Sequence, residues 1–265
     1  MKTKDKIEKL LSRFKPSDRI LVAFSGGVDS TFLLHLLKTR SNAEVCAITV
    51  KTPYIPDWEI EEAKSFCRSL AVKHKIIELS LPVAIKENPG NRCYLCKTIL
   101  FNSIKKYAKE EGYNIIADGS NADDTRDYRP GLRALKELNI MSPLLEAGLV
   151  KKEIRNELKE CGLEIWDKPA YACLLTRLPY NYEIKPDDLH KVEESELFLH
   201  RLGFRGARVR LQDKSARIEV GPQHFEQIIK EETRSGIIRS FKAAGIDYIS
   251  LDLEGYRTGS MNKNL

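Results

Sequence analysis

Ile20-Leu21-Val22-Ala23-Phe24-Ser25-Gly26-Gly27-Val28-Asp29-Ser30-Thr31 is the stretch from which the rest of the chain can be read. Its first five residues form a short continuous apolar run, of the kind buried on both faces of a parallel sheet. The two glycines permit a tight turn and let backbone N–H groups converge on an anion. Ser25 and Ser30 add hydroxyl donors, and the helix that opens here supplies positive potential for a phosphate. Asp29 would repel phosphate unless a cation intervenes, which points to Mg²⁺ held beside the ligand. The bland alternative is an ordinary strand-to-helix turn with Asp29 or Ser30 near the N-cap. The whole string in strand–turn–helix order favours a nucleotide over that alternative. It is neither the GxxxxGK(S/T) loop nor GxGxxG, both of which are absent.

Outward from this loop, strand and helix signals alternate as far as residue 160. Ala43–Val50, Lys75–Leu79, Asn114–Ala117 and Ile140-Met141 read as further strands. Helical patterns lie between them at Thr31–Lys38, Trp58–Leu70, Thr98–Glu111, Leu132–Leu138 and Lys151–Cys161, the last closed by Gly162. This order predicts an α/β fold, a doubly wound parallel sheet with right-handed crossovers. Ligands of such sheets bind outside the carboxyl ends of the strands. From Glu164 to Pro186 the pattern stops, and Pro169, Pro179 and Pro186 with the tyrosines between them suggest an ordered loop. A small C-terminal α+β domain is expected beyond it. Its elements are a helix over Lys185–Leu202, a hairpin of Ala207–Leu211 and Ala216–Val220, a helix over Phe225–Ala244 and a strand over Tyr248–Leu253. The expected divisions are 1–165 (ATP-binding), 166–184 (connection) and 185–265 (substrate binding and oligomerisation).

Composition excludes several classes. With 265 residues, 42% of them apolar, the chain is neither disordered nor fibrous, and no apolar run exceeds about five residues, too short to span a membrane. The N-terminus leads into a charged amphipathic stretch without a hydrophobic signal core, so a soluble, cytoplasmic protein is expected. Lys+Arg 44 against Asp+Glu 38 leaves +6, a balance that suits an anionic ligand without demanding nucleic acid. Six cysteines are too few for a disulfide scaffold.

Cys93 and Cys96, in Arg92-Cys93-Tyr94-Leu95-Cys96-Lys97, sit three apart at the start of a helix and share a face, so both sulfurs can meet one metal. Buried thiols and a redox pair are the competing readings of such spacing. Cys173, far downstream in Asp167-Lys168-Pro169-Ala170-Tyr171-Ala172-Cys173, is expected on a loop, where Lys168 and Arg177 would favour its thiolate. Cys46, Cys67 and Cys161 lie in apolar patterns and read as core residues. Three thiols suit zinc only with a fourth ligand, and suffice for a [4Fe-4S] cluster with one open iron; composition does not choose between these. Asp118, Asn121 and Asp124 follow a strand and could contact Mg²⁺ or ribose, or simply form Asx turns. Arg129 and Arg177 could bind phosphate or a carboxylate bidentately. Arg208 and Arg210 alternate on one strand and so share a side that suits a single phosphate.

SGGVDS matches the signature of the PP-loop ATP pyrophosphatase superfamily, of the adenine nucleotide α-hydrolase-like type. Together with RCYLCK, Asp118 to Asp124, Ser142-Pro143-Leu144, WDKPAYACLLTR, ARIEV and the ending Leu251 to Asn262, it makes the chain resemble the LarE family of ATP-dependent sulfur transferases over nearly its whole length. The resemblance implies that Ser25, Gly26, Gly27, Asp29 and Ser30 grip the pyrophosphate of ATP. A carboxylate of a pyridinium mononucleotide is then adenylated and receives sulfur as a thiocarboxylate, in nickel-pincer nucleotide biosynthesis. Some members sacrifice the sulfur of a cysteine at the position of Cys173. Others hold a [4Fe-4S] cluster with three cysteines, and Cys93, Cys96 and Cys173 make this chain similar to the second kind. By the same resemblance the substrate phosphate falls at Arg208 and Arg210, with Glu196 and Arg257 nearby. The implied partners are a small nucleotide carboxylate, a sulfur donor (sulfide or a sulfur-delivery protein) and further copies of this chain in a homo-oligomer. The rival readings are a cluster-dependent tRNA-thiolating enzyme of the same superfamily, an ammonia-using synthetase, and a zinc-stapled ATP-binding protein without sulfur transfer.

Overall fold

The computed structural model describes residues 2–126 and 130–257, and the chain divides into two compact units. One comprises Met1–Pro82 and Asn91–Lys168; the other comprises Val83–Gly90 and Pro169–Leu265.

The first unit begins with helix α1 (Thr3–Leu11) and is built on a parallel sheet of β1 (Arg19–Ala23), β2 (Glu44–Lys51), β3 (Lys73–Glu78) and β4 (Ile115–Ala117), in the order β3-β2-β1-β4. Helices α2 (Val28–Arg40), α3 (Asp57–Ser69), α4 (Arg92–Glu111), α5 (Pro130–Glu137), α6 (Pro143–Glu146) and α7 (Lys151–Glu160) complete it. The order explains why β1 is apolar throughout. Ile20 and Val22 join one buried cluster with Leu33, Leu37, Ile154 and Leu158, from α2 and α7. Leu21 joins another with Ile48, Phe101 and Ile104, on the other face. Helix α2 buries Phe32, Leu33, Leu34, Leu36 and Leu37, nearly all round its axis, as a helix inside an α/β core does. The chain proceeds from β1 outward to β2 and β3, then returns to place β4 on the other side of β1. That reversal is a switch point, and it leaves a crevice at the carboxyl ends of β1 and β4.

Two expectations shift here. Ile140-Met141 makes only an isolated bridge, Met141 to Ala117, rather than a strand. Helix α4 starts at Arg92, with Asn91 as its N-cap, and is closed after Glu111 by Gly112 at φ 74°, so Cys93 and Cys96 occupy its first two turns.

The second unit carries helix α8 (Pro186–Arg201) and a three-stranded sheet, β5-β6-β7, of β5 (Arg208–Gln212), β6 (Ser215–Glu219) and β7 (Tyr248–Leu251). β5 and β6 pair antiparallel through a turn at Asp213-Lys214, with Asp213 left-handed at φ 51°, and β7 runs parallel to β6. The single helix expected over Phe225–Ala244 is two, α9 (Phe225–Ile229) and α10 (Glu231–Ala243). Lys230 turns extended at ψ 139° between them, and Glu231 and Glu232 then sit in the favourable first turn of α10. The loop around Cys173 contains one 3-10 turn, Leu174–Arg177, begun by Cys173 itself.

Asn88 ties this loop down. It is fully buried in a left-handed conformation (φ 47°), and its Nδ2 donates to the carbonyls of Leu175 (3.2 Å), Leu178 (3.2 Å) and Pro179 (2.7 Å). Removing the amide orphans buried acceptors, so Asn88→Ala is expected to cost at least about 1–3 kcal/mol. Chemical denaturation of the purified protein should show the lowered midpoint.

Candidate functional site

At the end of β1 the backbone turns through Gly26 at φ 69° and enters α2 with Gly27 as N-cap. Ser30 Oγ donates to the Gly27 carbonyl (3.1 Å) and receives the Ser25 N–H (3.3 Å), while the two hydroxyls lie 3.1 Å apart. The loop is therefore shaped by its own serines before any ligand arrives. Thr49 Oγ1 donates to the Phe24 carbonyl (2.6 Å) and contacts His74 Nε2 (2.8 Å), which anchors the strand end that leads into it. A Cβ on Gly26 would touch Ala63 Cβ at 3.4 Å. Gly119, after β4, is tighter: a Cβ there would lie 2.7 Å from the Ser30 nitrogen and 2.9 Å from its Cα. No side chain fits between the two loops.

Asp29 heads this crevice. Its Oδ2 pairs with the Lys151 ammonium at the start of α7, while Oδ1 is buried without a hydrogen-bond partner. Burial pushes its carboxyl above the usual range; Lys151 opposes this most, Asp124 adds to it, and the Asn121 side chain opposes it weakly. An orphaned carboxylate oxygen with a second carboxylate close by is the donor set that a hard divalent cation takes, so the residues fit Mg²⁺. Asn121 and Asp124 belong to the same turn: Asp124 Oδ2 accepts the Asn121 N–H (3.0 Å), and Asn121 Oδ1 accepts that of Asp123 (2.9 Å). Asp118 is used differently. Its Oδ2 accepts from the Ser120 hydroxyl and its Oδ1 from that of Ser142, both at 2.5 Å, so it braces the β4 loop from within.

Lys151 was visible in sequence only as a helix start. It is 122 residues from Asp29, and no local spacing could have signalled the pair. Lys168 places its ammonium on the Gly26 carbonyl (3.0 Å) and the Glu62 carboxylate (2.7 Å), contacts that no local spacing signalled.

On α4, Cys93 is exposed and Cys96 half-buried. Cys96 Sγ lies 3.1 Å from the hydroxyl of Tyr54; burial raises the thiol above its ordinary pKa while this contact opposes the rise. Cys46 and Cys67 are core residues as expected, and burial pushes Cys67 up to about 12. Cys161, expected in the core, is exposed where α7 ends. Within neither unit, among the described residues, do three or more His, Cys, Asp or Glu side chains gather as a metal site. Two thiols a helical turn apart nevertheless fit as neighbouring ligands of a soft metal centre.

In the second unit, Cys173 precedes a buried Arg177 whose guanidinium grips Glu196 through two bonds (2.8 and 2.9 Å). The same side chain donates to the carbonyls of Ala172 (2.8 Å) and Cys173 (3.2 Å), so it fixes the backbone beneath the thiol. Arg208 and Arg210 share a strand but not an environment. Arg208 is buried, lies 5.2 Å and 5.0 Å from the ring centres of Tyr171 and Tyr256, and donates to the carbonyls of Gly206, Ala207 and Ala170. Arg210 pairs with buried Glu219, as does Arg217 opposite it. With Arg177, Gln212 and Ser215, these two line a cavity of about 340 Å³. Arg257 pairs with Glu254 at 2.6 Å, and Arg129 lies outside the described residues.

Residues 1–166 match the family model of the PP-loop domain. The chain is 38% identical to an uncharacterized protein of Synechocystis over 98% of both chains. It is 37% identical to an uncharacterized protein of Methanocaldococcus jannaschii over 94% of both. It is 32% identical to a pyridinium-3,5-bisthiocarboxylic acid mononucleotide synthase of Lactiplantibacillus plantarum, over 97% of this chain and 93% of the relative.

Gly119→Ala tests the crevice directly, since the clash is with backbone that has nowhere to go. A loss of about 1–3 kcal/mol is expected. Nucleotide binding by calorimetry should weaken at least tenfold, whereas Gly148→Ala, with open space around its Cβ position, should leave the binding intact.

Proposed function

This chain belongs to the PP-loop family, within its LarE branch of ATP-dependent sulfur transferases, and on that premise we propose that it converts a carboxylate of a small pyridinium mononucleotide into a thiocarboxylate. The observation that carries the reading is the crevice at the switch point, where a pre-shaped loop of N–H groups and hydroxyls faces an aspartate with one unpartnered buried oxygen. A triphosphate needs both halves: donors for its oxygens and a carboxylate for the cation that accompanies it.

A carboxylate is a poor electrophile because its leaving group would be oxide. In the proposed sequence a carboxylate oxygen attacks the α-phosphorus of ATP, the bond to the β-phosphate bridge breaks, and pyrophosphate leaves. The N–H groups of residues 25–30 take up the charge on pyrophosphate. Asp29 and Asp124 would hold Mg²⁺, and Lys151, which pairs with Asp29, would turn to a phosphate oxygen once the cation took that carboxylate. Sulfur then adds to the acyl carbon and AMP departs.

Cys93, Cys96 and Cys173 are the proposed ligands of a [4Fe-4S] cluster, which, held by three protein thiolates, would supply sulfide-level sulfur for the transfer. The protein would then be reused rather than spent. Arg177, held by Glu196, orients the Cys173 backbone. The substrate phosphate is assigned to the arginines of β5: Arg210 lines the cavity beside Arg217, and Arg208 supports the segment from below.

Protein purified anaerobically should contain about four irons per chain with matching acid-labile sulfide. Given ATP and the pyridinium biscarboxylate mononucleotide, it should release pyrophosphate and yield a product heavier by the exchange of oxygen for sulfur. Asp29→Ala should abolish AMP formation and keep its iron. Loss of iron in that variant would break the assignment of separate sites, and full turnover by a Cys93/Cys96/Cys173 triple serine variant would sink the sulfur reading.

A further inference from the structure

The geometry points to Tyr54 as a positioning residue for Cys96: we propose that its hydroxyl donates the hydrogen bond that aims the Cys96 sulfur and holds it ready to ligate a soft metal centre. This rests on the reading of Cys96 as a metal ligand. Tyr54 lies in the loop between β2 and α3, at the carboxyl end of β2 and so on the same edge of the sheet as the Gly26-Gly27 turn. Its side chain is 1% exposed, and its hydroxyl reaches Cys96 Sγ at 3.1 Å from 42 residues away.

The position is braced on both sides. The Ile55 N–H closes a turn onto the Thr52 carbonyl (3.1 Å), and Lys51 pairs with Asp57 across the loop at 2.8 Å. A tyrosine placed only to fill the core would have no need to end on a sulfur. A buried phenol takes a polar partner, and here one is a side chain on the helix face that also carries Cys93.

In the free thiol either atom can donate. A metal-bound thiolate has no proton, so the direction is then fixed: the tyrosine donates and the sulfur accepts. Such bonds orient ligands and add to their affinity, and hydrogen bonds to ligating sulfurs also help set the reduction potential of a cluster. Cys93, one turn earlier, is exposed. The pair is thus asymmetric, with one sulfur aimed by the protein and the other able to adjust to the metal.

The test uses full-length, iron-free, reduced protein titrated with Cd²⁺ and followed by sulfur-to-cadmium charge-transfer absorption. Cys96→Ser shows whether the signal reports on this sulfur. Tyr54→Phe keeps the ring and its packing, and should weaken Cd²⁺ binding about tenfold or more with the unfolding temperature unchanged. After anaerobic reconstitution the same variant should show a cluster potential shifted to more negative values. Cd²⁺ affinity in Tyr54→Phe equal to that of the unaltered protein overturns the proposal and leaves the cluster reading standing. A loss of affinity that comes with a lowered unfolding temperature assigns Tyr54 to packing and overturns it as well. Undiminished Cd²⁺ binding by Cys96→Ser removes both the proposal and the reading beneath it.

Discussion

The nucleotide crevice depends on the approach of two backbones, that of Gly119 after β4 and that of Ser30 in the first turn of α2. Everything around the switch point follows from this contact. With no Cβ between them, β1 and β4 can end side by side and their loops can face one ligand. Asp118, held between the Ser120 and Ser142 hydroxyls, keeps the second loop from drifting. Lys151 then reaches Asp29 from α7, and a carboxylate that burial would otherwise penalise is retained in a site built for anions. The arrangement keeps one oxygen of Asp29 unpartnered, a cost of the kind that functional sites accumulate.

Much of the fold was legible because β1 and its loop announce themselves. A five-residue apolar run followed by SGGVDS admits few topologies, and the alternation that follows fits a parallel sheet. The errors have physical causes. Ile140-Met141 has strand composition, but one bridge is all that the sheet edge offers it. The break at Lys230 falls among good helix formers with no proline or glycine to mark it. Cys161 follows an apolar-periodic helix yet lands on its exposed end, because periodicity locates a face and not the last residue that the face buries.

The site was legible in its residue types and less so in their employment. Asp29, Ser25 and Ser30 stand where the motif implies. Arg208 and Arg210 illustrate the limit: strand alternation puts them on one side, yet one is enclosed by Tyr171 and Tyr256 and the other meets Glu219 at the cavity. Lys151, Lys168 and Tyr54 act through partners that are distant in sequence, and distance of that kind leaves no trace in local spacing.

The segment around Cys173 is held through its main chain as well as by the buried side chains of Leu174, Leu175, Arg177 and Leu178. Arg177 takes the carbonyls of Ala172 and Cys173, Asn88 takes those of Leu175, Leu178 and Pro179, and Arg210 takes that of Thr176. None of these bonds runs through the side chain at position 173. On the proposed role of Cys173, a change in the chemical state of its sulfur leaves these carbonyl bonds in place, so the backbone keeps its position while the chemistry at its side chain turns over.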